Sequence, residues 1–190
     1  MLTIVRHGRT AANAGGLLQG HIDNPLDSLG KRQASEIASA LGQVDVVVCS
    51  PLARAVETAK PLGIAPVIDE RWIELDYGDW DGQPVSSISK DTWAQWRSDE
   101  TFKPPGGESL ASLNRRVQSA CKDLQSLAES QHVVVFTHVS PIKSAISWAL
   151  SCDREISWNL SVSQAQISRI LVRNSQPTLL SFNEVAHLTK

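Results

Sequence analysis

The chain has 190 residues, of which 42% are hydrophobic and 20% charged, a composition typical of a globular protein with a substantial core. Its formal net charge of −2 argues against an overall attraction to nucleic acid or to anionic membranes, so we expect neither as a partner. No stretch is long enough for a membrane-spanning helix, and the N-terminus lacks a signal-peptide pattern. We expect one domain over residues 1–190, a cytoplasmic location, and three cysteines that are buried or half-buried free thiols.

Apolar strands and helical patterns alternate along the chain, starting with a strand at residues 2–5. Asp27 or Ser28 can cap a helix that runs to about Leu41. The further predicted helices cover residues 52–59, 109–130 and 141–150, and the further strands cover residues 44–48, 67–68, 133–136, 165–172 and 178–182. The last two strands are expected to form a hairpin around residues 174–177.

This alternation predicts an α/β fold, a three-layer α/β/α sandwich around a mostly parallel central sheet. The first, second and fourth strands are almost entirely apolar, as expected for strands buried on both faces of a parallel sheet. Arg6 and His7 follow the first of these strands, Arg54 follows the second, and His138 follows the fourth. Because the carboxyl ends of parallel strands share one edge, two arginines and two histidines should converge there. Such a pocket suits a phosphate group.

The pair Arg6 and His7 is followed by Gly8, which we expect to let the backbone turn sharply after the strand. By itself, such a pair is most often part of a loop surface, and a histidine at a strand end is most often a structural residue. The repetition at three strand ends favours a binding site instead, because three sets of phosphate-compatible groups are hard to explain as solvated loop.

Six segments carry a resemblance that extends from the N-terminus to the fourth strand. In chain order they read RHGRTAAN, GLLQGHIDNPLDSLGKRQA, CSPLARAVETA, WIELDYGDWDG, PPGGES and VVVFTHVSPIK. Each is weak alone, but together and in this order they resemble the histidine phosphatase superfamily, also called the phosphoglycerate mutase-like family. The resemblance implies the fold of that family and the activity of its phosphatase branch.

The resemblance also implies covalent catalysis by His7. One ring nitrogen of His7 would attack phosphorus and form a phosphohistidine intermediate, which requires that this nitrogen is unprotonated. The neighbouring arginines favour the neutral imidazole, since like charges disfavour an imidazolium. Glu74, in the segment WIELDYGDWDG, takes the role of the acid that protonates the leaving oxygen and then accepts a proton from water. No metal or other cofactor is implied, because the arginines neutralise the phosphate.

The phosphate-binding group implied by the resemblance combines side chains with the start of a helix. Its expected members are Arg6, Asn13, Arg54, His138 and the backbone of Val139. Planar guanidinium groups bind phosphate oxygens bidentately, and amides at a helix N-terminus add donors and a favourable dipole. The bulk of Val139, where relatives often carry glycine, should narrow the pocket, and Arg9 should add positive charge near its mouth.

Other polar residues close to these positions are assigned structural roles. Glu57 and Asp76 are expected at the surface or in structural contacts, although Asp76 lies near enough in sequence to compete for the role of the acid. Ser50 and Thr137 are candidates for a phosphate contact, but hydroxyls that satisfy backbone groups are favoured for both. His21 falls in the loop after the pocket and is a candidate for its lining, although solvation is favoured because loop histidines are commonly solvated.

Residues 77–107 depart from the plain alternation of strands and helices and contain several aromatic residues and a Pro-Pro-Gly-Gly break. By resemblance, this segment lies over the pocket like a lid and helps to decide which leaving group fits. Trp93 and Trp96 are spaced along one helical face, and core packing is favoured for them over contact with substrate.

Three functions remain under consideration. The favoured one is a metal-independent phosphatase that acts on small phosphorylated metabolites. The alternative is a phosphoglycerate mutase, although mutases of this family usually carry longer insertions between the second arginine and the second histidine. A non-catalytic phosphate-binding module would be expected if a motif residue were missing, and none is. Sugar phosphates, phosphoglycerate derivatives, phosphoserine and α-ribazole phosphate all stay open as substrates, and a homodimer is compatible with the sequence.

Overall fold

The computed structural model describes residues 1–189, and its centre is a six-stranded sheet. The strands are β1 (Leu2–Arg6), β2 (Val46–Cys49), β3 (Val67–Ile68), β4 (Val133–Thr137), β5 (Ile167–Arg173) and β6 (Gln176–Glu184). Their order in the sheet is β3-β2-β4-β1-β5-β6. The first four strands in that order pair in parallel, and β5 and β6 add an antiparallel edge. The predicted mostly parallel sheet is confirmed.

Helices cover both faces of the sheet. They are α1 (Ala11–Ala14), α2 (Ser28–Leu41), α3 (Ala53–Ala59), α4 (Lys90–Ser98), α5 (Leu110–Ser130) and α6 (Val139–Ala149). Alternate strand residues point to opposite sides, so Ile4 and Val135 pack in one core cluster with residues of α5 and α6. Val5 and Phe136 pack in a second cluster with residues of α2 and α3. These two clusters on either side of the sheet confirm the three-layer α/β/α arrangement.

The predicted long helices agree with the structure to within two residues at their ends. Asp27 caps α2 by accepting a hydrogen bond from the Gly30 amide at 2.8 Å, and Ser109 caps α5 in the same way. The short helix α1 was not predicted because it has only four residues. For α4 no bounds were predicted, although Trp93 and Trp96 were placed on one helical face. Within residues 1–189, no helix combines the length and the apolar character needed to cross a bilayer.

The hairpin turn is shorter than predicted. Asn174 and Ser175 alone form it, with φ angles of 50° and 55°, and Pro177 already pairs with Val172 inside the ladder. Two consecutive residues with positive φ make the tight turn that matches the twist of antiparallel strands. The sequence expectation of a four-residue turn was therefore wrong, because it treated the proline as part of the turn.

Two smaller expectations also need correction. Gly8 does not adopt a positive φ, so a sharp turn is not what its position requires. A Cβ at Gly8 would lie 2.5 Å from the Gly30 carbonyl oxygen, so glycine is needed for the close approach of this loop to the first turn of α2. Among the cysteines, Cys152 is exposed, whereas Cys49 and Cys121 are buried as expected.

Candidate active site

The parallel register brings three strand ends to one edge of the sheet. Arg6 of β1 lies opposite Thr137 of β4, and Cys49 of β2 lies opposite Phe136 of β4. The residues that follow these strands therefore meet, and the rings of His7 and His138 lie with their centroids 5.1 Å apart. The predicted convergence of histidines and arginines is what the structure shows.

His7 is held as a neutral ring with one nitrogen free. Its side chain is only 3% exposed, and Nδ1 lies 2.7 Å from the carbonyl oxygen of Gly8. Because a carbonyl only accepts, Nδ1 carries the proton and Nε2 keeps its lone pair. Burial, followed by the positive charges of Arg6 and Arg54, holds the pKa of His7 well below its ordinary value. At neutral pH the ring is thus in the form that a nucleophile requires.

Arg54 lies in the first turn of α3 and is completely buried, which rules out a surface role. Its Nε donates to Nδ1 of His138 at 3.1 Å, so the other nitrogen of His138 carries the proton and donates to the Ser50 hydroxyl at 2.7 Å. Burial and the charge of Arg54 lower the pKa of His138 well below its ordinary value. Both ring nitrogens of His138 are engaged by protein groups, and a hydrogen bond to phosphate would replace the one to Ser50.

The loop before α2 wraps the guanidinium of Arg54. Its terminal nitrogens donate to the carbonyl oxygens of Ile22 at 3.0 Å and Gly20 at 2.7 Å. Burial lowers the pKa of Arg54 to about 10, which still leaves the group charged at neutral pH. Nε donates to His138, and the terminal nitrogen that bonds Gly20 also donates to the Gln19 carbonyl oxygen at 3.5 Å, so the other terminal nitrogen keeps a second N–H for an anion.

Arg6 is a second cation of the site, and one of its N–H donors has no protein partner among the described residues. One terminal nitrogen of Arg6 donates to the carbonyl oxygen of Val162 at 2.7 Å, whereas Nε is buried with no hydrogen-bond partner in the described part of the chain. A buried donor without a partner costs free energy, and an oxygen atom of a bound anion would satisfy it.

Glu74 places its carboxylate at the N-terminus of α6. The side chain is 4% exposed; Oε1 accepts from the amides of Leu75 at 2.8 Å and Ser140 at 3.1 Å, and Oε2 accepts from the amide of Val139 at 3.0 Å. A negative group is stabilised at this position by the free amides and the helix dipole. The Val139 amide, expected to bind phosphate directly, instead holds the carboxylate in this structure. The amides at this helix terminus bind Glu74, and a contact between the Val139 amide and phosphate stays a prediction.

Arg116 of α5 clamps the backbone that carries Glu74, a contact that sequence reasoning missed. Its terminal nitrogens donate to the carbonyl oxygens of Arg71 at 2.8 Å, Ile73 at 2.7 Å and Glu74 at 3.1 Å. Glu108 binds the same guanidinium through two hydrogen bonds, at 2.9 Å and 2.7 Å. The signal in the sequence was the glutamate of the PPGGES segment, but its partner lies in another element and cannot be identified from spacing.

The segment that begins with α1 and Asn13 contains a second residue that sequence reasoning missed, Gln19. Asn13 Oδ1 accepts from the Thr10 amide at 3.2 Å and closes a capping box on α1, so its phosphate contact stays a prediction. The Thr10 hydroxyl donates to Gln19 Oε1 at 2.8 Å, while Nε2 of Gln19 is buried without a partner among the described residues. A glutamine in the segment GLLQG carried no charge or periodicity that would mark it in the sequence.

The residues assigned structural roles make structural contacts. Asp76 accepts from the Gly78 amide at 2.8 Å, Glu57 from the Leu26 amide at 3.0 Å, and Thr137 donates to the Trp72 carbonyl oxygen at 2.6 Å. His21 Nε2 donates to the Glu74 carbonyl oxygen at 3.0 Å. Arg9, expected near the mouth of the pocket, pairs with Asp27 at 2.7 Å. Arg9 therefore serves the cap of α2. Among residues 1–189, no group of three or more His, Cys, Asp or Glu side chains is placed to hold a metal ion.

The tryptophans of residues 77–107 pack on one another beside this site. Trp96 is 2% exposed and belongs to the core, as expected. Trp93 is half-buried and stacks on Trp96 with ring centroids 5.4 Å apart and an interplanar angle of 9°. Trp80 and Phe102 also contact Trp96, so an aromatic cluster holds this segment against α5 and α6.

Comparison with known proteins agrees with this geometry. The sequence model described as histidine phosphatase superfamily (branch 1) matches residues 2–185. Phosphoserine phosphatase 1 of Hydrogenobacter thermophilus is 30% identical over 197 residues, covering 98% of this chain and 93% of that protein. A phosphoserine phosphatase variant of Entamoeba histolytica, solved with phosphoserine, superposes with a TM-score of 0.91 at 28% identity, over 99% of this chain and 98% of that one. A mycobacterial glucosyl-3-phosphoglycerate phosphatase with VO3 has a TM-score of 0.87 at 29% identity, over 97% and 98% of the two chains.

Proposed function

The chain belongs to the histidine phosphatase superfamily, branch 1, and we propose that it hydrolyses small phosphomonoesters through a phosphohistidine on His7. The observation that carries the proposal is the state of His7, a buried neutral imidazole with Nδ1 bonded to Gly8 and Nε2 free, next to Arg54 and His138. Nucleophilic catalysis needs this unprotonated nitrogen and a cationic surrounding for the phosphoryl group.

The reaction has two steps. In the first, Nε2 of His7 attacks phosphorus while the bond to the leaving oxygen breaks, and Glu74, which must carry a proton in the substrate complex, gives that proton to the leaving oxygen. In the second, the Glu74 carboxylate takes a proton from a water molecule as the water oxygen attacks the phosphohistidine, which releases phosphate and restores both residues. Arg6 and Arg54 bind the phosphoryl oxygens throughout, which supplies the charge neutralisation without a metal ion.

The size of the substrate is inferred from relatives. Some similar proteins are named as phosphatases of phosphoserine or of glucosyl-3-phosphoglycerate, and others as α-ribazole phosphatases, and all of these names point to small phosphorylated metabolites. We infer a substrate of that general class for this chain, with residues 77–107 acting as the lid-like segment beside it. Seven residues assigned from the sequence take part in this reaction. His7 attacks phosphorus and Glu74 transfers protons. The other five contact the phosphoryl group or Glu74, and they are Arg6, Asn13, Arg54, His138 and Val139.

Phosphate release from p-nitrophenyl phosphate, measured with and without chelator, tests this function. We expect hydrolysis that survives the chelator, and we expect His7→Ala to lower turnover by about 10⁴-fold or more because it removes the nucleophile. Rapid quench with labelled substrate should show an acid-labile phosphoenzyme in the natural protein and none in His7→Ala. Strict dependence on magnesium or zinc would contradict the proposal, and isomerisation of phosphoglycerate faster than its hydrolysis would favour the mutase.

A further inference from the structure

A cavity of about 250 Å³ lies next to the candidate site, between the first turns of α5 and α6 and the helix α4. Its aromatic wall is formed by Trp93, Trp96 and Trp158, which contact one another edge-to-face or stacked. Its polar side includes Ser140 and Lys143 of α6. This combination of a flat apolar wall and a few polar groups is typical of small-molecule sites.

The cavity borders the proposed acid. Val139 and Ser140 line it, and the amides of the same two residues bind the carboxylate of Glu74 at 3.0 and 3.1 Å. Tyr77 also lines the cavity. The oxygen that leaves phosphorus must come within hydrogen-bond distance of Glu74 to receive its proton. The rest of the leaving group must then extend past Glu74, and this cavity offers a space beside it.

Lys143 and Arg97 are two cations of the cavity lining. Neither cation has an ion pair or a side-chain hydrogen bond with another residue of the described chain, and Arg97 lies 5.4 Å above the ring of Trp158. Lys143 is partly buried, and burial lowers its pKa, with the charge of Arg97 acting in the same direction and that of Glu74 opposing them. Taking an ammonium group out of water without a partner costs free energy, which a bound anion would offset.

The acidic residues of the lining limit the charge of the anion. Glu100 and Glu155 also line the cavity, and each takes part in an interaction of its own. A second phosphate dianion would be repelled by two carboxylates more strongly than a singly charged group would. A carboxylate is therefore the favoured anion.

We propose that this cavity receives the leaving group of the substrate and that Lys143, with Arg97 at the rim, binds a carboxylate carried by that group. The inference rests on the proposed phosphatase function and narrows its substrates to phosphomonoesters of small hydroxy acids. The tryptophan wall then contacts the carbon skeleton, and the carboxylate distinguishes these substrates from phosphorylated neutral alcohols.

Pairs of substrates that differ chiefly at the carboxylate test the proposal. Suitable pairs are 3-phosphoglycerate with glycerol 3-phosphate, phosphoserine with phosphoethanolamine, and 4-carboxyphenyl phosphate with phenyl phosphate. For at least one pair, the natural protein should prefer the carboxylated member by about tenfold or more in kcat/KM, the effect of one good ion pair. In Lys143→Gln this ratio should fall about tenfold through the KM of the carboxylated member, and Lys143→Arg should restore part of it.

Lys122→Gln on the exposed face of α5 is the matched control and should keep the natural ratio. If Lys143→Gln does not fold, the proposal can be tested by inhibition of aryl phosphate hydrolysis in the natural protein. Glycerate should then inhibit more strongly than glycerol. Arg97→Gln should reduce the difference between these two inhibitors. A ratio near one for all three pairs, or a ratio unchanged in Lys143→Gln, would overturn the carboxylate assignment while aryl phosphate hydrolysis persists. A natural protein that hydrolyses no phosphomonoester would overturn the proposed function itself.

Discussion

The site at the sheet edge and the neighbouring segment of residues 77–107 are built in different ways. At the sheet edge, His7 and His138 follow central strands directly, and Arg54 and Glu74 are almost fully buried with defined hydrogen-bond partners. Residues 77–107 contain two 3-10 turns and one helix, and aromatic stacking holds them. On the proposed function, the contrast assigns the phosphoryl chemistry to the buried residues at the sheet edge and the selection of the leaving group to the aromatic segment.

Close backbone contacts at two glycines hold residues 77–107 beside the site at the sheet edge. A Cβ at Gly78, which has a φ of 52°, would lie 2.1 Å from the Pro105 carbonyl oxygen, and a Cβ at Gly107 would lie 2.5 Å from that of Asp76. The segment therefore starts and ends at the same place, close to Glu74. Only glycine allows two backbones to approach so closely, which explains the Pro-Pro-Gly-Gly break.

Glu74→Gln is expected to have the largest effect among the variants that leave the nucleophile in place. Turnover of alkyl phosphates should fall by about 10²–10⁴-fold because the leaving oxygen loses its proton donor, and aryl phosphates should be affected far less in the first step. With an aryl phosphate, labelled phosphohistidine should accumulate, since the second step lacks its base. Asp76→Asn is the control for a neighbouring carboxylate. Equal losses on both substrate types without trapped phosphoenzyme would remove Glu74 from the acid role.

Arg54→Lys should lower kcat/KM by on the order of a hundredfold, because a lysine keeps the charge but loses the planar donor fork and the bond to His138. Steady-state kinetics with p-nitrophenyl phosphate would measure this change. Arg32→Lys, on the exposed face of α2, provides the control. Near-normal turnover in Arg54→Lys would show that the sheet-edge site does not depend on this side chain.

Arg116→Lys should lower turnover of alkyl phosphates roughly tenfold, since a small displacement of a catalytic group is enough for such a loss. Lysine cannot donate to three carbonyl oxygens and Glu108 in the same geometry, so the backbone at Glu74 should shift. The loss should be smaller for aryl phosphates, the same signature as in Glu74→Gln. The exposed neighbour Arg115→Lys is the control. A loss of equal size for both substrate types would mean that Arg116 acts only on stability.

Trp96→Ala should affect turnover least and stability most. The side chain is 2% exposed at the centre of the aromatic cluster, so its removal should lower the free energy of unfolding by about 3–5 kcal/mol. Urea unfolding would measure the loss, and turnover of p-nitrophenyl phosphate by the folded fraction should change only a few fold. His7→Ala should do the opposite, losing turnover while the fold stays stable. A Trp96→Ala protein of unchanged stability would contradict the division between the two regions.

The site was predictable where neighbouring residues define it. Arg6, His7 and His138 follow apolar strands directly, and the parallel pairing that joins them follows from strands buried on both faces. The contacts of Ser50 with His138, Gln19 with Thr10, and Arg116 with Glu108 were not predictable to the same degree. The first and third of these cross between elements, and the second has no periodic or charge signal in the chain.

The amino-acid order by itself determined the succession of strands and helices, the strand ends at which the ionisable residues lie, and the family that these motifs indicate, because apolar periodicity and caps act over a few residues. Tertiary structure alone decided that Val139 and Ser140 hold Glu74, that His138 carries its proton on the nitrogen facing Ser50, and that Lys143 lines a cavity without an ion-pair partner in the described chain. These features depend on distances between residues far apart in sequence. Because these residues are buried, their contacts fix the tautomers of the histidines, shift pKa values and define the space for a ligand.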